Sequence, residues 1–172
     1  MKIYFLLIYV TLLCVASLHA NEDKAIKDIL LKYNYGIIKM GRSGETEFFK
    51  SFVKEDVAVK LQVWFESWKF SNLTFLAELN DLRFSPIAYN ENNATIRTIE
   101  NWTFSYVNLA TKKIALEPTK IFYKMQYTLQ KNDNKWMIVA IKKLKEEKFT
   151  KPNTNKPSLK TKKKESKDEM PN

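Results

Sequence analysis

The sequence predicts an α+β domain in which N-terminal helices pack on a curved antiparallel sheet. Two observations carry this. Apolar residues recur at helical spacing before residue 70 and alternate at strand spacing after it. The sharpest alternation lies between Ile99 and Lys143, in three strand-like runs: Ile99–Val107, Ile121–Gln130 and Trp136–Ile141.

In chain order, Met1 and Lys2 precede an apolar run from Ile3 to Ala16, then Ser17-Leu18-His19-Ala20. A basic start, a short apolar run and a small residue before a polar segment describe a secretory signal peptide over residues 1–20. The run is shorter than the ~20 residues of a spanning helix. The alternative is an uncleaved anchor, because Leu18 is bulky for a cleavage site. Cys14 is preceded by bulky Leu13, against lipid attachment, and belongs with the apolar run.

The only cysteine and the only histidine, Cys14 and His19, lie in that leader. A mature chain without them has no disulfide framework, thiolate or imidazole metal site, cysteine nucleophile or histidine-dependent triad. The three glycines, Gly36, Gly41 and Gly44, form neither a phosphate-binding loop nor a dinucleotide fingerprint. No cofactor or metal is expected.

Asn21 is expected to cap a first helix bearing Ala25, Ile26, Ile29, Leu30, Tyr33, Ile37 and Ile38, with Gly41 as its stop. Ser43 is expected to cap a short helix carrying Phe48, Phe49 and Phe52. Asp56 opens a third, striped by Val57, Leu61, Trp64, Phe65 and Trp68. Leu73–Leu79 and Leu82–Tyr89 read as one interrupted strand or two short ones, with Pro86 at an edge or bulge. Asn90–Asn93 is a turn. A strand from Ala94 to Val107 points Ile96, Trp102, Phe104 and Tyr106 one way, and a loop is expected from Leu109 to Pro118. Ile121, Tyr123, Met125, Tyr127 and Leu129 then share the apolar face of a half-buried strand. A turn at Asn132–Asn134 leads to Trp136–Ile141, apolar on both faces and therefore expected to be central.

The net charge of +10 is uneven: residues 21–147 hold twenty Lys/Arg against sixteen Asp/Glu, and residues 148–172 hold eight Lys against three acids. The domain is thus placed at 21–147, followed by a disordered Lys-rich tail, 148–172, too apolar-poor to repay ordering. The tail suits an anionic surface, or serves as a solvated extension. Export makes nucleic acid an improbable partner.

Helices followed by a curved sheet that closes with Glu100-Asn101-Trp102, Tyr127-Thr128-Leu129 and Trp136-Met137-Ile138 resemble the NTF2-like superfamily. Within it, the pattern is similar to the C-terminal, intermembrane-space domain of ARC6-like plastid and cyanobacterial division proteins. The resemblance spans roughly residues 22–143. It implies a cone, a sheet wrapped around a long helix with an apolar cavity at its open end. It also implies a choice among enzymes, carriers and non-catalytic assembly domains that the fold cannot make.

Glu100 is the one candidate catalytic residue: in phase with Ile96, Trp102 and Phe104, its carboxylate points toward the cone. Thr98 shares that face, and Tyr123 or Tyr127 can reach it. The alternative role for Glu100 is structural. Trp64, Trp68, Thr98, Glu100, Trp102, Tyr123 and Tyr127 are the candidate ligand-binding residues, the aromatics being equally suited to a plain core. Asn72, Asn93 and Asn101 begin glycosylation sequons. The leading functional expectation is an exported, non-enzymatic domain that binds a protein partner, forms a homodimer or assembles an envelope complex. The second is a binder of a small apolar ligand, and the third a Glu-dependent lyase or isomerase.

Overall fold

The computed structural model describes the backbone of residues 2–149 and the side chains of residues 20–149. The side chains up to residue 19, within the stretch read as a signal peptide, and residues 150–172, within the stretch read as a tail, lie outside the described residues.

The order of elements is α1 (Lys2–Ser43), a 3-10 helix (Glu47–Ser51), α2 (Glu55–Phe70), and strands β1 (Leu73–Phe84), β2 (Ala88–Asn90), β3 (Asn93–Asn108), β4 (Ile114–Asn132) and β5 (Lys135–Phe149). All strand pairings within the sheet are antiparallel, in the order β1-β3-β4-β5, with β2 added to β3. The helices pack on one face of this curved sheet, so the architecture is α+β, as predicted.

Ile26, Leu30, Tyr33, Ile37 and Met40 form the buried stripe of α1, at the helical spacing the sequence displays. They meet Phe75 and Ala77 of β1, Ile96 and Phe104 of β3, and Tyr127 and Leu129 of β4 in one core. Two contacts tie the helix down at residues 22 and 23: Lys131 pairs with Glu22 at 2.5 Å, and the Tyr89 hydroxyl donates to Asp23 at 2.6 Å.

Several local expectations are corrected. Asn21 caps nothing, because α1 runs through it without a break. The stop is Gly44, not Gly41: Gly44 has φ +77° and donates its N–H to the Met40 carbonyl, a left-handed helix end that glycine adopts at no steric cost. Gly41 serves close approach instead. A Cβ there would lie 2.3 Å from the Phe75 carbonyl oxygen, and that carbonyl belongs to the sheet backbone. Thr74 closes the same junction by donating its hydroxyl to the Gly41 carbonyl at 2.8 Å. Ser43 caps no second helix. The Phe48–Phe49 turn is 3-10, begins after Thr46 and has no side-chain cap. Nor does Asp56 open α2, which starts at Glu55.

Pro86 falls between β1 and β2, which resolves the interrupted stretch into two strands, and β1 is bulged at Asn80. The loop expected at Leu109–Pro118 is shorter, since β4 already begins at Ile114. Pro118 is tolerated because it sits where the β3 register skips between Thr119 and Leu116, and an irregular ladder demands no regular donor. The Trp136–Ile141 strand lies at the sheet edge rather than in its centre. Its outer edge is paired at this point by the Phe52–Lys54 segment, which adds alongside: Lys54 donates to the Ile138 carbonyl and Ile138 to that of Phe52. Lys148 and Phe149, assigned to the tail by composition, end β5. The hairpin before β5 turns on Asp133 and Asn134, both at positive φ, the geometry of a tight two-residue turn.

Gly41→Ala is expected to cost about 1–3 kcal/mol by overpacking against immobile backbone. Gly36→Ala meets the Phe48 ring at 2.3 Å and the buried Phe49 ring at 2.8 Å, side chains and not backbone, so the smaller loss is expected there. Urea denaturation of the two variants gives the comparison.

Candidate functional site

The concave side of the sheet holds a cavity of about 220 Å³ beneath α1. Residues one turn apart on each helix reach it: Tyr33, Asn34 and Ile37 from α1, Leu61 and Trp64 from α2. Alternate strand residues complete it, Glu100, Trp102 and Phe104 from β3 and Tyr123, Met125 and Tyr127 from β4, with Lys143 from β5 at the rim. The register explains the grouping, because Glu100 pairs with Tyr123 and Ile96 with Tyr127, so these side chains share one face.

At the centre is the Glu100 carboxylate, 3% exposed. The Thr98 hydroxyl donates to Oε1 at 2.6 Å, the Tyr127 hydroxyl to Oε1 at 2.8 Å, and the Trp102 indole N–H to Oε2 at 2.9 Å. No Lys or Arg among the described residues pairs with it. Its hydrogen bonds among the described residues thus come from three neutral side chains.

The surrounding phenols respond to the same environment. Burial, and then the Glu100 charge, push the Tyr127 hydroxyl well above the ordinary phenol range, and the same two causes raise Tyr33. Tyr123 is pushed up to about 12, by burial first and then by Glu146. Tyr33 also meets the Tyr127 ring edge-on at 5.6 Å. These phenols stay protonated across the physiological range.

Asn34 is 1% exposed, and neither its carboxamide oxygen nor its nitrogen has a hydrogen-bond partner. An orphaned buried amide costs about 1–3 kcal/mol, so the cavity wall contains a polar group that stability alone does not account for. Among the described residues no three His, Cys, Asp or Glu side chains are grouped to hold a metal ion.

Of the residues named from sequence, Trp64, Glu100, Trp102, Tyr123 and Tyr127 line the cavity together. Thr98 stands behind it, holding Glu100. Trp68 is not a wall residue and stacks on Tyr106 at 4.6 Å. Tyr123 is the direct cross-strand neighbour of Glu100, yet the bond comes from Tyr127, two residues along the same face. Sequence reasoning missed Asn34. Its signal was present: a polar residue inside the buried Leu30–Tyr33–Ile37 stripe.

No family model and no curated protein sequence matches the chain. Among solved structures, the fold is similar to the intermembrane space region of chloroplast protein ARC6, with 11% identity and a TM-score of 0.58, over 70% of this chain and 94% of that one. At that identity the likeness is one of fold.

Tyr127→Phe is expected to destabilise the domain by about 1.5–3 kcal/mol, the usual loss for a hydrogen bond to a charged group. The raised phenols also fix a pH dependence. Their folded values exceed the unfolded one, so their contribution is complete below about pH 10. It is lost as pH rises further through the folded values. Denaturation midpoints between pH 8 and 12 should show this fall, with a shallower slope in Tyr127→Phe.

Proposed function

We propose that this chain is an exported, non-catalytic protein-interaction domain of a cell-envelope compartment. The observation that carries the reading is an uncovered apolar stripe on α2. Val59, Val63 and Phe70 are exposed, Phe70 by 92%, and helical spacing sets all three on one side, with Glu66, paired to Lys69, between the last two. An apolar helix face left to solvent is the usual mark of a partner. The leader-like residues 1–20 support export, and the fold's likeness to a region that resides between two membranes is compatible with it. Among the described residues no helix is long and apolar enough to cross a membrane.

A photo-crosslinking amino acid at Val63, introduced in the native cell, is expected to give one discrete protein adduct. Phe70→Asp should abolish that adduct while changing stability by less than about 0.5 kcal/mol, as for other exposed sites. A band at twice the chain's mass identifies a homodimer. Absence of any adduct at Val63 overturns the reading.

The cavity supports a second reading, the binding of a small ligand, favoured by the unpaired Asn34 carboxamide in its wall. Glu100 gives less support to proton abstraction, since Oε1 already accepts two hydrogen bonds and Oε2 one.

A further inference from the structure

The cavity contains two groups whose bonding is incomplete, and their chemistry is specific. Glu100 is a buried carboxylate whose contacts are all neutral donors. Buried carboxylates are ordinarily matched by a cation. Oε2, with only the Trp102 indole on it, has room for one more donor. Asn34 adds a carboxamide oxygen with no donor on it. Around these two groups stand the rings of Tyr33, Trp64, Trp102 and Tyr123, and aromatic faces attract cations. The rim lysine does not fill the role, because Lys143 is paired with Glu146.

We propose that the cavity is a binding site for a primary alkylammonium group, which donates to Glu100 Oε2 and Asn34 Oδ1 and lies against the aromatic walls. This rests on the ligand-binding reading of the cavity and is independent of the α2 surface. At about 220 Å³ the space is smaller than a drug-sized site. It suits a short amine or the end of a lysine side chain, and it replaces the small apolar ligand expected from the sequence with a cationic one.

The test is calorimetric titration of the full chain with n-butylammonium, n-butanol and Nα-acetyl-lysine amide, with Trp64 and Trp102 emission as a second readout. Saturable one-to-one binding of n-butylammonium is expected, at least tenfold tighter than n-butanol. Glu100→Gln should erase that preference. Asn34→Leu, which removes the orphaned amide without unpairing anything else, should keep or raise the melting temperature and weaken n-butylammonium at least tenfold. Comparable binding of the lysine amide assigns the amine to a partner's lysine, and its exclusion assigns it to a free small amine. Equal binding of n-butanol and n-butylammonium overturns the ammonium assignment and leaves a neutral-ligand cavity. Binding of none of the probes overturns both.

Discussion

One buried charge organises the interior of this domain. Glu100 sits where β3, β4 and α1 converge, and its carboxylate gathers Thr98, Trp102 and Tyr127. Desolvating such a group is expensive unless donors are already in place. The side chains that supply them are thereby fixed in rotamer and register. A slip of β3 against β4 by one residue would turn Glu100, together with Thr98 and Trp102 of its own strand, to the other face and part it from Tyr127 on β4. The Tyr127–Glu100 bond thus adds a polar constraint on the pairing of the two central strands to the one their alternating apolar faces impose. Leu, Ile, Met and Tyr would repack at modest cost.

The second constraint is the approach of α1 to the sheet. Gly41 lets the helix backbone come against the Phe75 carbonyl, and Thr74 bonds across the gap. Close contact at this end, with the Glu22–Lys131 and Asp23–Tyr89 contacts at the other, sets the tilt of α1. That tilt determines how much room remains above Glu100. The cavity is therefore a product of helix placement, and Asn34 faces it because it rides on the helix that forms the roof.

Much of this was legible in the sequence. The β4 alternation from Ile121 to Leu129 and the β3 phase from Ile96 to Phe104 survive unchanged as the inner face of the sheet. They are long, strictly periodic segments, in which burial and pattern agree. The errors arose where tertiary contact overrides local preference. Asn21 looks like a cap only if the helix begins there. Trp136–Ile141 looks central because both its faces are apolar, yet it ends the sheet and is paired on its outer side by a non-strand segment, Phe52–Lys54, which no periodicity reports. Trp68 shares a helical stripe with Trp64, yet the curvature of the sheet sends it to Tyr106 instead of the cavity. For Glu100, phase alone located the carboxylate. Phase also placed Thr98 and Trp102 on its face, and only the choice of Tyr127 over Tyr123 waited on the register, which the sequence did not contain.

The lysines of β5 acquire a meaning apart from overall charge. Beyond Ile138 the outer edge of this strand runs past Lys142, Lys143, Lys145 and Lys148, all exposed. An open edge with its backbone groups unmet is a template on which other chains polymerise, and closely spaced ammonium groups make that docking unfavourable. The basic character of this end of the domain thus acts as insulation: with Glu146 and Glu147 partnering three of the four lysines, the margin still carries a positive excess that opposes docking of a like-charged edge.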